Sequence, residues 1–184
     1  MKSVKNIVFF VLLLFIISAC SNSKDIKLSK ADAIITNNKD LVGETVRTIG
    51  EGKSQTTVET VLYYTFVVKN NSNKSISNAD LNKIKLKIKP NQELLSVVED
   101  TVGSNIYNVN KSKIGGGQGI EEIPAHGTGK FTIYYNLSTD KQGNKLPSIP
   151  TKEELKRIKE NALKSTLIVS ENGEEIAHFN LNKK

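Results

Sequence analysis

The sequence is poor in the residue types that most often carry chemistry. Its 184 residues include one cysteine, two histidines and no tryptophan. One cysteine excludes an intrachain disulfide, and with two histidines it cannot complete a Cys/His zinc site, so neither a metal nor a cofactor is expected. Arginine is nearly missing: Arg47 and Arg157 stand against a large surplus of lysine in a chain of formal charge +7. Planar, bidentate recognition of phosphate or guanine calls for arginine rather than lysine, so nucleic acid is not an expected partner. The length allows one ordinary domain and falls short of a barrel enzyme of about 250 residues. With 38% hydrophobic and 24% charged residues, the composition is that of a globular chain rather than a disordered or fibrous one.

What the chain does have is an informative amino terminus. Lys2 and Lys5 precede eleven uninterrupted apolar residues, Ile7 to Ile17, followed by Ser18, Ala19 and Cys20. A basic start, a short apolar run and small residues at a cleavage point make a secretory signal. Eleven residues are too few to cross a bilayer core, which needs about 20.

The end of this segment, Ile17-Ser18-Ala19-Cys20, resembles the lipobox of bacterial prolipoproteins, an aliphatic residue and two small ones ahead of an obligatory cysteine. The resemblance covers residues 1–20. It implies a diacylglyceryl group on the thiol of Cys20, cleavage just before it, and attachment to the outer face of the cytoplasmic membrane. The physics agrees: one acyl chain binds a membrane only marginally, whereas two chains at about 0.8 kcal/mol per buried CH₂ hold stably. The expected organisation is a lipoprotein signal peptide over 1–19, a lipidated tether and candidate first strand over 20–40, and a β domain over 41–184. Removal of residues 1–19 takes away Lys2 and Lys5 but no acid, leaving +5.

The remainder reads as mostly β. Leu41 to Glu51 is expected to be a strand, with a turn at Gly52-Lys53-Ser54. Val58 to Lys69 (VETVLYYTFVVK) is dense in β-branched and aromatic residues on both alternations, the mark of a central strand. It ends in the turn-forming run Asn70 to Ser75. Lys83 to Pro90 (KIKLKIKP) alternates strictly, so Ile84, Leu86 and Ile88 face a core and Lys83, Lys85, Lys87 and Lys89 face solvent. Such a stripe suits an anionic partner, but a solvated edge guarded against aggregation is the commoner meaning. Glu93 to Glu99 and Asn105 to Val109 are weaker strand candidates, and Ile114 to Gly119 reads as a flexible loop. Phe131 to Ser138 alternates with Phe131, Ile133, Tyr135 and Leu137 inward. Thr151 and Glu154 form a capping box for one helix, whose apolar stripe is Leu155, Ile158 and Ala162 or Leu163. The chain closes on a hairpin at Asn172-Gly173, the preferred type I′ pair. A simple register places Val169 opposite Ile176 and Ile168 opposite Ala177.

About seven to nine short strands with turn signals every 8–15 residues indicate a two-sheet sandwich. The order Phe66–Ser77, then Ile123–Ser138, then a closing hairpin resembles the immunoglobulin-like domains of small bacterial surface lipoproteins. There, a strand ending in an Asn/Ser turn is followed by a Pro-Gly turn leading into a strand with a core Phe. The resemblance implies an antiparallel immunoglobulin-like β-sandwich, here with one short helix near the C-terminus.

Chemistry-bearing constellations are scarce. Neither the 115–119 glycines nor Gly127-Thr128-Gly129-Lys130 matches a phosphate-cradling spacing. His126 lies in a turn, and the simple hairpin register gives His178 no partner. The adjacent acids Glu99-Asp100, Glu121-Glu122 and Glu174-Glu175 would diverge on strands. Tyr63, Tyr107 and Tyr134 are the candidates for stacking on sugars. No catalytic residue is assigned. The expected function is a non-catalytic binding or accessory module of the cell envelope, joined to the membrane through Cys20, contacting an envelope protein or anionic wall polymer through loops such as 103–122. The alternative is a cell-wall-active hydrolase with an unrecognised carboxylate site.

Overall fold

The computed structural model describes residues 26–49, 53–76, 83–108, 116–137 and 150–182. The expected signal peptide, Cys20 and the tether up to residue 25 lie outside the described residues, as do Val109, Ser138 and the loop before Pro150. Mainly β structure in antiparallel sheets is joined by three short helices.

The greasy segment becomes β4 (Val61–Asn70), paired on one side with β1 (Ile26–Thr36) and on the other with β7 (Thr128–Asn136). It is central, as its composition requires. Leu62, Tyr64, Phe66 and Val68 are fully buried on one face, and Phe131, Ile133, Tyr135 and Leu137 join them from β7. Beyond β7 lies β6 (Gly116–Ile120), completing the order β1-β4-β7-β6. A three-stranded sheet, β5-β8-β9, is built from β5 (Ile84–Pro90), β8 (Ser165–Glu171) and β9 (Glu174–Asn180). The strict alternation of β5 holds: Ile84, Leu86 and Ile88 enter the same apolar core as the first sheet, while Lys85, Lys87 and Lys89 point out from an edge strand. A separate hairpin pairs β2 (Thr45–Ile49) with β3 (Lys53–Thr57). Among its residues of described burial none joins the core, and Val46 is 65% exposed.

Several local expectations are corrected. Glu93 to Glu99 is not a strand but part of α2 (Gln92–Val102). The Asn91 side chain accepts a hydrogen bond from the Leu94 amide at its start, Gly103 closes it in the left-handed conformation, and Leu94, Val97, Val98, Thr101 and Val102 are its buried stripe. Asn105 to Tyr107 is a turn rather than a strand, with the Tyr107 amide donating to Asn105 Oδ1 at 3.0 Å. Leu41 and Val42 end a single helical turn, α1 (Lys39–Val42), before β2 begins at Thr45, and Lys53 opens β3 instead of lying in the turn. Gly116, Gly117 and Gly119, expected to be in a loop, form β6, because pairing to β7 outweighs their poor strand propensity; Ile114 and Gly115 of that expected loop lie outside the described residues.

The helix with the capping box is α3 (Lys152–Asn161), with both reciprocal Thr151–Glu154 bonds present and Ile158 buried. The Asn172-Gly173 turn also forms, both residues having positive φ. The simple register does not hold. A bulge between Val169 and Ser170 pairs Ser170 with Glu175, then Val169 with Ala177 and Ile168 with His178. The skipped residue lets Ile176 and Ala177, neighbours in sequence, both turn inward.

The two turns that carry the second resemblance touch. Asn70, 1% exposed, donates through Nδ2 to the Lys74 carbonyl at 2.7 Å and the Pro124 carbonyl at 3.2 Å. An antiparallel bridge joins Ile76 to Ile123 beside them.

Candidate binding groove

Edge strands β5 and β6, from different sheets, approach one another and are joined by side chains. In β5 the residues whose amides turn away from β8 are Leu86 and Ile88. Gln118 on β6 spans the gap: the Leu86 amide donates to its Oε1 at 3.0 Å, and its Nε2 donates to the Ile84 carbonyl at 2.8 Å. The Ile88 amide donates to the Tyr135 hydroxyl at 3.2 Å. Edge groups that would otherwise template another chain are thereby occupied.

Below this closure is a groove of about 690 Å³. Lys85, Lys87 and Lys89 lie along its β5 wall, Gly116, Gly117 and Tyr134 along its β6 wall, and Asn105, Tyr107 and Asn108 also line it. None of its described lining residues is acidic. The three lysines have no carboxylate partner among the described residues. The groove therefore offers positive charge unpaired among the described residues, amide side chains and three tyrosines, of which Tyr107 and Tyr135 are nearly buried, a set suited to holding an anionic or polyhydroxylated ligand.

A tyrosine cluster backs the groove. Tyr64 donates its hydroxyl hydrogen to the Ala162 carbonyl at 3.1 Å, so Tyr107, 3.1 Å away, is the donor to Tyr64. Tyr107 meets Tyr135 edge-on with ring centroids 4.8 Å apart. Burial is the largest cause of raised pKa values throughout: Tyr135 is pushed up to about 12, although the Ile88 amide opposes the shift, and Tyr64 and Tyr107 move in the same direction. These phenols stay neutral at ordinary pH. They back the groove as neutral side chains.

Of the three tyrosines expected to offer stacking surfaces, Tyr107 is buried at 4% exposure and is removed from that role. Tyr63 and Tyr134 are cross-strand neighbours on the outer face of the four-stranded sheet, with centroids 6.2 Å apart and planes within 10°. Gly117 explains the lie of Tyr134: a Cβ there would stand 2.7 Å from the ring, so the glycine leaves room for the ring to cross β6.

The remaining candidates are spread out. His126, with φ 58°, is exposed, and its Nε2 lies 2.8 Å from Asn73 Oδ1. His178 does have a partner, contrary to the simple register: its Nδ1 is 2.7 Å from Glu175 Oε1 on the exposed face of β9. A second open hollow of about 520 Å³ includes this pair with Lys89, Thr166 and Asn180. Glu99 and Asp100 lie on α2, not on a strand, while Glu121 faces Lys130 at 3.5 Å. Among the described residues no group of three or more His, Cys, Asp or Glu is placed to hold a metal. Sequence reasoning missed Gln118 and the hydroxyl of Tyr135. The only signal for the first was a long polar side chain isolated among glycines.

No protein-family model, curated protein or solved structure matches the chain.

Proposed function

We propose that the protein is an extracytoplasmic lipoprotein, held at the cell membrane by a diacylglyceryl group on Cys20, and that its domain is a non-catalytic binding or accessory module of the cell envelope. The observation that carries this reading is positional. The sole sulfhydryl stands at the end of a lipobox-like segment, and the first strand of the sheet opens at Ile26, six residues later. Two antiparallel sheets sharing one core support the finer architecture, an immunoglobulin-like β-sandwich, and the contact between the Asn70 and Pro124 turns supports it further.

On this reading the groove between β5 and β6 is the contact site, and its ligand is an envelope protein or an anionic wall polymer. The lysine rim and the amides of Asn105 and Asn108 supply non-covalent binding. Cys20→Ala abolishes palmitate labelling in growing cells and leaves unprocessed precursor; normal labelling of that variant overturns the anchor. In-cell crosslinking from the groove rim identifies the partner. Cleavage of peptidoglycan by the purified protein, lost on changing one carboxylate, would replace the binding reading with the hydrolase.

A further inference from the structure

We infer that the outer face of the four-stranded sheet, at the end from which the tether leaves, is a docking surface for anionic lipid headgroups. This rests on the lipid-anchor reading of Cys20. Six residue steps separate Cys20 from Ile26, and at 3.3–3.6 Å per extended residue they reach at most about 22 Å. The first rungs of β1 are therefore held close to the bilayer whatever path the tether takes.

Those rungs are basic. Ile26 and Leu28 face the core, so Lys27 faces out, directly opposite Lys69 on β4. A bulge between Leu28 and Lys30 reverses the alternation, and Lys30 then also faces out, in the same row as Val67 and, across β4, Lys130. Like charges directly opposite each other on a sheet are destabilising. Lys27, Lys30 and Lys69 are exposed and have no carboxylate partner among the described residues; of the four, Lys130 alone has one, Glu121. A cross-strand pair of ammonium groups at the tether end lacks a counter-charge among the described residues, and the anionic leaflet next to it supplies one.

Further along the same face the chemistry changes in a way that fits a lipid surface better than a soluble polymer. After a polar row of Asp32, Thr65 and Thr132 comes a row of Ile34, Tyr63 and Tyr134. Ile34 is 37% exposed and the two rings lie nearly parallel. Tyrosine prefers the boundary between apolar and wet surroundings. The Lys85, Lys87 and Lys89 stripe lies on the other sheet, where Tyr134 borders the same groove, and is not among the basic rungs at the tether end.

Each basic residue near an anionic membrane surface strengthens attachment about fivefold, and three do so on the order of a hundredfold, an effect that salt screens. The test uses the processed, full-length protein reconstituted in vesicles of phosphatidylcholine alone or mixed with phosphatidylglycerol. Brief acetylation followed by mass spectrometry reads each lysine. Lys27, Lys30 and Lys69 should be modified at least fivefold more slowly on the mixed vesicles, with the protection lost at high salt and Lys85, Lys87 and Lys89 unaffected. The triple variant Lys27→Gln, Lys30→Gln, Lys69→Gln changes only exposed residues, and an unlipidated form of it should sediment on the order of a hundredfold less with mixed vesicles than its unlipidated parent. Equal acetylation on both vesicle types overturns the inference. So does protection of those lysines on neutral vesicles by added polyphosphate to the same extent as by phosphatidylglycerol, since the surface would then read polyanions rather than lipid. The mass of the Cys20 peptide separates the two readings. A lipidated chain with unprotected lysines leaves the anchor standing without the docking, and an unlipidated chain whose lysines are protected leaves the docking without the anchor.

Discussion

Strands β4 and β6 belong to one sheet and are separated by β7 alone, yet they are strands for opposite reasons. β4 carries its own explanation. Its inward apolar residues are large and fully buried, its outward ones from Tyr63 to Val67 are β-branched or aromatic, and any neighbour able to cover both edges would keep it extended. β6 is GGQGI, with three glycines in five residues. It has little intrinsic tendency to be a strand, and its shape is imposed by pairing with β7 and by Gln118 clasping β5. The difference teaches that burial makes one strand, whereas permissive backbone at a crowded place makes the other.

The comparison breaks most visibly in β4. Phe66 is fully buried and stacks near Tyr64, with centroids 6.0 Å apart. Phe66→Ala is expected to lower unfolding free energy by about 3–5 kcal/mol, the usual range for a buried aromatic replaced by alanine. Urea denaturation followed by circular dichroism checks it. A loss under about 1 kcal/mol would mean that the central strand is not held by its inward face.

Between the two cases stands β7, whose Tyr135 serves both, packing against the β4 face and accepting from Ile88 on the edge that β6 approaches. Its phenol has a folded-state pKa of about 12, above the roughly 10 of an unfolded tyrosine. The neutral form is the one the fold favours, so the contribution is complete below about pH 10 and is lost as pH climbs from 10 towards 12, where the unfolded chain ionises first. At about 1.4 kcal/mol per unit, Tyr135 alone removes about 2–3 kcal/mol by pH 12. Tyr64 and Tyr107 act in the same direction. Stability measured across that window should fall less steeply in Tyr135→Phe; an unchanged slope would mean that the ring is wetter than its 5% exposure indicates.

Legibility in the sequence follows the same division. β4, β5, β7 and the Asn172-Gly173 turn could be read because periodicity or turn chemistry sits in their own residues. β1 was harder, since the bulge after Leu28 makes even-numbered residues face inward before it and odd-numbered ones after it, which erases any period-two signal. The register of β8 with β9 shifted for the same reason at Ser170. α2 was readable in principle: Asn91 as cap and Gly103 as terminator were both present, but the valine pair within it favoured a strand reading. The groove was not readable, because it joins Lys85–Lys89 to Gly116–Gln118 across two sheets, and nothing local records that meeting.

The finest test of the comparison inverts ordinary strand propensity. Valine is among the best strand formers and glycine among the worst, so at a solvent-facing position of a self-determined strand Gly→Val should stabilise. At Gly117 the opposite is expected. The added Cβ would lie 2.7 Å from Tyr134 Cε1 and 2.8 Å from Cζ and Oη, so the ring must swing off β6 and abandon its place beside Tyr63. Gly117→Val should therefore destabilise by about 1–3 kcal/mol, the range for overpacking. The double variant Gly117→Val, Tyr134→Ala decides the cause: with the ring gone the valine has room, so its penalty should vanish or reverse, giving a coupling energy of about 1 kcal/mol or more in a double-mutant cycle. An additive cycle would place the requirement for glycine in the backbone rather than in the ring above it, and β6 would then be a strand for a reason that lies in its own residues after all.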